Sequence, residues 1–161
     1  MLTELRLTFH RDLDALHREI AMYPDDASVW AEPPGCPNSA GTLTLHMCGN
    51  LRHYIGAQLG GSSYVRDREA EFGDRDLPRH ELQGIVEATR DEVDRALGGL
   101  KPDALDAPFQ MPMLPEPITV GLWLLHLGVH LSYHLGQLDY HRRLVTGDAT
   151  AAGAMAPAAL V

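Results

Sequence analysis

Large apolar side chains recur every three or four positions along four long stretches of this chain, and this periodicity restricts the possible folds more than any other feature. In the first stretch, from about Leu2 to Met22, they share one face and charged side chains fill the other. Such spacing is typical of an amphipathic helix that packs against its neighbours. No stretch sustains an apolar–polar alternation with a period of two, so we expect no β-sheet.

Capping residues, prolines and glycines mark the ends of the other three predicted helices. The second helix is capped by Asn38 or Ser39 and ends before Gly60-Gly61. Pro78 suits the first turn of the third helix, where a missing N–H costs nothing. The three helices cover about residues 39–59, 78–97 and 119–145.

These four segments predict an all-α fold, a four-helix bundle with long connecting loops. The bundle forms one domain over residues 1–146, and the alanine-rich segment 147–161 is expected to be a flexible C-terminal tail. Connections of roughly 16 to 21 residues are longer than an up-and-down bundle needs. An arrangement with one or more crossover connections is therefore as plausible as a simple antiparallel order.

Charge and cysteine content exclude several classes of partner. The formal net charge is −9, with 13 Lys+Arg against 22 Asp+Glu, which disfavours contact with nucleic acid or anionic lipid. No apolar run approaches the roughly 20 residues of a membrane span, and no secretory signal is recognisable. The two cysteines form no disulfide framework. We expect a protein of the reducing cytoplasm, with no nucleic acid or membrane partner.

Histidine is the residue type whose placement points to chemistry. His130 and His134 lie one turn apart on the same face of the fourth helix, where two imidazoles can converge on one ion. The second helix supplies a third imidazole, His46, on a face that also carries polar residues. Three histidines with open positions are the pattern of a catalytic metal site. A single histidine on an apolar face is usually a hydrogen-bonded core residue. Several imidazoles buried together without a cation would leave ring nitrogens without hydrogen-bond partners, which costs free energy.

The remaining histidines of these helices fit other roles better. His53 and His126 are expected to line the pocket or support the ligands rather than bind the metal. His141 lies near the end of the fourth helix, where we expect it to be exposed or paired with the terminal carbonyls.

Several further side chains flank the predicted site. Three of them could orient the ligands or hold substrate, although a hydrogen bond within the bundle is the simpler interpretation: Asn50, Tyr133 and Gln137. Cys48 falls on the opposite face from His46 and is expected to be a small buried apolar residue. Three histidine ligands leave the full positive charge on a bound metal ion, unless the carboxylate of Asp67 or Glu71 approaches it from the second connection.

The sequence Thr44-Leu45-His46, followed at a distance by His130-Leu-Ser-Tyr-His134-Leu-Gly136-Gln137, resembles the DinB/YfiT-like metalloenzyme superfamily. Its members are four-helix bundles with a lone histidine in the second helix and an HxxxH pair, typically followed by Gly-Gln, in the last long helix. The resemblance covers about residues 1–146 and implies His46, His130 and His134 as metal ligands. Leu135 replaces the Arg or Lys of many relatives, which removes a charge from the flank of the site.

The resemblance also implies a homodimer, nickel or zinc as the divalent metal and, in some branches, chemistry with low-molecular-weight thiols such as bacillithiol or mycothiol. A bound ion would lower the pKa of water toward about 7 or deprotonate a thiol. We therefore expect a metal-dependent thiol transferase or hydrolase with a small-molecule substrate. The alternatives are a non-catalytic metal- or ligand-binding stress-response protein, and a helical dimerisation module whose histidines only pack.

Overall fold

The computed structural model describes residues 1–111, 114–154 and 156–160, and four long helices dominate it. The first part of the chain contains α1 (Leu2–Ala21), the short α2 (Asp26–Val29) and α3 (Ala40–Leu51), which continues as a π-helical segment over Arg52–Leu59. The remainder contains the short α4 (Arg68–Gly73), α5 (Arg79–Gly99) and α6 (Val120–Thr146). Two 3₁₀ turns, Pro102–Asp106 and Pro157–Leu160, complete the helical elements in these ranges. The predicted all-α fold class is confirmed.

Side-chain caps set the starts of two long helices close to where the sequence predicts them. Ser39 accepts a hydrogen bond from the backbone N–H of Thr42 and so caps α3. Thr119 does the same for α6, with the N–H of Leu122 as donor. Pro78 occupies the cap position itself rather than the first turn of α5. Because capping is a local interaction, short sequence patterns are enough to predict it.

The connections contain more structure than their composition indicates. The expectation of no β-structure is wrong at one place, where β1 (Pro108–Phe109) pairs antiparallel with β2 (Ile118–Thr119) just before α6. Strands of two residues are too short to show an alternating pattern, so the sequence gives no signal for them. The second connection likewise contains α4, although its composition predicts only an irregular polar segment.

The long helices are arranged up, down, down, up. On α3 and α6, His46 lies beside His130, and farther along α3 Tyr54 lies beside Trp123, so these two helices are antiparallel. The π-helical continuation of α3 runs parallel to α5, and α1 runs parallel to α6. Because parallel neighbours require a connection that returns along the bundle, residues 60–78 cross back over the side of α3. This crossover brings α4 next to the middle of α3.

One buried apolar core joins the four long helices, and the loops cover its two ends. Residues 148–152, which follow α6, lie against the bundle, where their backbone carbonyls accept hydrogen bonds from Arg142, Arg143 and Arg18. Over the described ranges, no helix combines the length and apolar character needed to cross a bilayer.

Candidate metal centre

Three histidine rings converge between α3 and α6. One ring nitrogen each of His46, His130 and His134 lies within 4.8 Å of the other two. The Nε2 atoms of His130 and His134 are 3.2 Å apart. Two nitrogens bound tetrahedrally to one ion at about 2.0–2.1 Å would be separated by about 3.3 Å. The pair on α6 therefore already has the spacing that a shared ion requires, and the nitrogen of His46 lies within 4.8 Å of both.

The helices account for this convergence. His130 and His134 are four residues apart on one helix and so lie one turn apart on the same face. His46 reaches them because α3 is the antiparallel neighbour of α6 and turns this face inward. Its ring centroid lies 5.2 Å from the centroid of each of the other two rings. The cluster thus combines one local pair with one long-range partner.

Hydrogen bonds at the remote nitrogens orient two of the rings. The Nδ1–H of His46 donates to Oε2 of Glu71 at 3.0 Å, and the Nδ1–H of His134 donates to Oε1 of Gln137 at 2.7 Å. Since a carboxylate or amide oxygen only accepts, both protons are held on Nδ1. The Nε2 atoms of both rings therefore carry a lone pair and no proton, which is the form that binds a cation.

Of the two carboxylates that could approach the cluster from the second connection, Asp67 and Glu71, it is Glu71 that does so. It is 5% exposed and accepts two hydrogen bonds from Arg66, at 2.6 and 2.8 Å. Burial alone would raise the pKa of Glu71, but the hydrogen bonds from Arg66 and His46 outweigh it and the pKa falls below its ordinary value. Asp67 instead caps α4 by accepting from the N–H of Ala70.

A glycine makes room for this carboxylate. Gly49 follows His46 on α3, and a Cβ atom built on it would overlap the carboxylate of Glu71. A larger residue at this position would therefore displace Glu71. Neither Gly49 nor Arg66 was identified from the sequence, because their roles depend on the path of the crossover connection.

Burial favours the uncharged form of the two cluster histidines on α6. It lowers the pKa of His130 to about 4, with a further contribution from the neighbouring histidines. The pKa of His134 is also lowered by burial, against the opposing effect of its hydrogen bond to Gln137. Neutral imidazole is the form that binds metal ions, so protons do not compete for these two nitrogens near pH 7.

Comparison with protein families decides the assignment. A family model described as the DinB superfamily matches residues 8–138, a range that includes all three clustered histidines. The chain belongs to the DinB superfamily. Searches of curated proteins and of solved structures gave no match. Membership of this family and the three-histidine cluster together fit the binding of a divalent metal.

Two other histidines of this DinB superfamily protein lie outside the cluster. His126 is exposed and stacks on Trp123, with ring centroids 4.9 Å apart. His53 accepts a hydrogen bond from the side-chain amide of Gln58 at 3.1 Å. Neither ring contributes to the group of nitrogens formed by the three converging histidines.

The expectation for His141 is wrong. Its side chain is buried rather than exposed, and it does not pair with the carbonyls at the end of α6. Nδ1 accepts a hydrogen bond from the Tyr23 hydroxyl at 2.7 Å, and Nε2 donates to the carbonyl of Ala31 at 2.8 Å. The connection between α1 and α3 folds over this end of the bundle and supplies these partners, which helix position alone does not reveal.

The other flanking side chains differ in their contacts. Gln137 accepts a hydrogen bond from His134, and it thus has the ligand-orienting position that was one of its expected roles. Tyr133 is 64% exposed. Asn50 is buried, and its Oδ1 has no hydrogen-bond partner among the described residues. Cys48 is buried as expected, and burial raises the pKa of its thiol to about 12, so this thiol is not a nucleophile at neutral pH.

Proposed function

We propose that this protein binds one divalent metal ion, nickel or zinc, through His46, His130 and His134, and uses it to activate a water or a low-molecular-weight thiol as a nucleophile. The reaction is a thiol transfer or a hydrolysis on a small-molecule substrate. The observation that carries the proposal is the convergence of three ring nitrogens within 4.8 Å of one another. Imidazole ligands suit zinc, nickel, copper and iron alike, and the choice of nickel or zinc follows from the resemblance to the DinB family.

The residues around the cluster prepare it for this chemistry. When bound, the ion would act as a Lewis acid and lower the pKa of a water or thiol bound to it. Glu71 and Gln137 hold two of the rings in the Nδ1–H form, which presents Nε2 to the centre. Arg66 balances the charge of Glu71 at the remote side of His46. Imidazole ligands carry no negative charge, so they would not reduce the positive charge of a bound ion.

Elemental analysis of untagged protein, purified without chelator, tests the metal site. We expect about one equivalent of metal per chain, and its loss in His130→Ala. His126→Ala is the matched control, since it removes an exposed histidine one turn away on the same helix. Substoichiometric metal in the wild type, or equal retention in both variants, would contradict the site and support the dimerisation module whose histidines only pack.

Turnover assays separate an enzyme from a binding protein. The metal-loaded protein is assayed with panels of thiol acceptors and hydrolysable substrates, and His130→Ala serves as the inactive control. Turnover that requires the metal supports the enzyme. Stoichiometric metal without turnover on either panel favours the alternative, a non-catalytic metal- or ligand-binding stress-response protein.

We further propose that two copies pair through an exposed apolar face of α6. This exposed α6 face consists of Leu122, Leu125, Val129 and Tyr133, each more than half exposed. A groove of about 450 Å³ lies between this face and α1, Leu125, Val129 and Tyr133 form its α6 wall, and none of its lining residues is charged. A two-fold pairing requires a self-complementary surface. The exposed α6 face and the groove lie next to each other, so the α6 face of each copy can pack into the groove of the other. In a chain of net charge −9, an uncharged face is where two copies meet with least repulsion.

A further inference from the structure

Asn50 carries a buried polar atom for which the described part of the chain supplies no partner. The residue lies on α3 and is 8% exposed, and its Oδ1 accepts no hydrogen bond from the described residues. A buried acceptor without a partner costs free energy, so such an atom in a folded protein calls for an explanation, for example a water molecule or an ion.

Helix geometry places this side chain on the same face as the proposed ligand His46. Asn50 follows His46 by four residues within the regular part of α3, so the two lie one turn apart on one face. The Cα–Cβ bonds of a helix tilt toward its N-terminus, and the side chain of Asn50 therefore leans back over the turn that carries His46. This tilt brings the carboxamide toward the three-histidine cluster.

The two helices that form the cluster present matching pairs. α6 supplies His130 and His134, and α3 supplies His46 and Asn50, in both cases four residues apart. The ring of His46 lies 5.2 Å from each of the two α6 rings, so this face of α3 is turned toward the α6 pair. An ion held between the two pairs would have three imidazole nitrogens and one amide oxygen as donors.

Two other buried side-chain atoms lack a hydrogen-bond partner among the described residues, and neither suits the cluster. The indole Nε1 of Trp123 carries a hydrogen and is a donor only, so it cannot bind a cation. Oε1 of Glu19 belongs to a carboxylate whose other oxygen pairs with Arg142, two turns beyond His134 on α6. Of these three atoms, Oδ1 of Asn50 alone combines a free lone pair with a place on the face of a proposed ligand.

The surroundings of this oxygen favour an ion over a water molecule. Oδ1 is enclosed by protein and presents almost no surface to solvent. A hydrogen-bonded water would need to lie about 2.8 Å away, whereas a metal ion approaches an oxygen donor to about 2.0–2.2 Å. The smaller partner is the one that an enclosed oxygen accommodates.

We propose that Asn50 is a fourth side-chain ligand of the metal, bound through Oδ1. The inference rests on the proposed metal site and adds one oxygen donor to its three nitrogen donors. Because an amide oxygen is neutral, the ion would keep its full positive charge. Zinc can expand from four to five ligands, which leaves a position for a water or a thiol.

Metal affinity tests whether Asn50 binds the ion. Asn50→Leu keeps the approximate size and removes the oxygen donor. We expect it to lower zinc affinity by more than about tenfold, measured by competition with a chromophoric chelator, since even residues that only orient a ligand typically contribute that much. Thr44→Val is the matched control, because it removes a hydroxyl on the opposite side of α3 that already donates to the carbonyl of Ala40. Equal zinc affinities of Asn50→Leu and Thr44→Val would overturn the proposal.

Cobalt(II) distinguishes a ligand from a residue that only orients one. Loss of a donor changes the coordination geometry, so the visible absorption bands of cobalt-loaded Asn50→Leu should differ in position and intensity from those of the wild type. Glu71→Gln changes only the remote side of His46 and keeps all donors, so its bands should stay close to those of the wild type. A wild-type spectrum for Asn50→Leu would overturn direct binding.

The stability of the metal-free protein separates a ligand from a structural residue. Without metal the Asn50 oxygen has no partner to lose, so Asn50→Leu should be at least as resistant to urea as the wild type. Asn50→Asp should be less resistant, because it buries an unpaired carboxylate, but should bind zinc more tightly than the wild type. A destabilised metal-free Asn50→Leu, or weaker zinc binding by Asn50→Asp, would overturn the proposal.

The two proposals fail in distinguishable ways. If the wild type retains no zinc, the proposed function fails and the assignment of Asn50 fails with it. If zinc affinity falls in His130→Ala but not in Asn50→Leu, the three-histidine site stands and only the inference about Asn50 is overturned.

Discussion

Glu71 accepts a hydrogen bond from Nδ1 of His46 at 3.0 Å, although the two residues are 25 positions apart and lie on different elements. The carboxylate comes from α4, in the connection that crosses back over α3. It fixes the proton of His46 on the nitrogen that points away from the cluster. The orientation of one proposed ligand therefore depends on how this connection docks.

Removal of this carboxylate should weaken metal binding without removing a ligand. We expect Glu71→Ala to reduce metal affinity by about 10- to 100-fold, measured by competition with a chromophoric chelator. Glu71→Gln should retain part of the affinity, since its amide oxygen still accepts from His46. Asp67→Ala, which uncaps the same short helix without touching His46, is the control. Wild-type affinity in Glu71→Ala would show that the contact does not orient the ring.

A methyl group at Gly49 should displace Glu71 and thereby affect both metal binding and stability. Gly49→Ala places a Cβ where the carboxylate now lies, so we expect weaker metal binding and a loss of about 1–3 kcal/mol of unfolding free energy. Gly84→Ala on α5 meets open space and should be neutral or stabilising by up to about 1 kcal/mol. Urea titrations and the chelator assay measure both effects. Equal stability of the two variants would argue against the tight approach of Glu71.

The two adjacent arginines near the end of α6 should differ sharply in their contribution to stability. Arg142 is fully buried and donates to the buried carboxylate of Glu19, whereas Arg143 is partly exposed and pairs with Asp139. Arg142→Ala leaves a buried carboxylate without its partner and should cost about 3–5 kcal/mol. Arg143→Ala should cost at most about 1 kcal/mol. Urea unfolding compares them, and similar losses would contradict the buried pair.

Burial of His141 should make stability depend on pH. Burial lowers the pKa of His141 in the folded state, so below about pH 6.5 the unfolded chain takes up a proton more readily than the folded chain does. Stability should therefore fall as the pH drops from 7.5 to 5.5, with a slope of up to about 1.4 kcal/mol per pH unit for this one group. His141→Gln should show a shallower dependence in urea titrations with chelator present. Parallel profiles would mean that His141 titrates equally in both states.

A charge on the exposed α6 face should disrupt the proposed dimer. We expect light scattering to give a dimer for the wild type and a monomer for Val129→Glu. Ala88→Glu adds the same charge to an exposed position on α5 and should leave the dimer intact. A wild-type monomer, or a Val129→Glu dimer as stable as the control, would contradict pairing through this face.

Much of the fold followed from local patterns. Each helix start depends on a cap a few positions away, and the sequence therefore predicts the starts at Ser39 and Thr119 directly. The same holds for His130 and His134, since residues four apart on a helix share one face. The short strands and α4 gave no comparable signal, because segments of two to six residues do not establish a period.

Helix periodicity and capping act within a few turns, so the four long helices and the histidine pair on the last of them can be read from the amino-acid order. The up, down, down, up order, the contact of Glu71 with His46 and the burial of His141 arise only when the helices pack together. Each of these depends on where a long connection runs in space, and many paths of similar local energy are open to a flexible segment until the core packs.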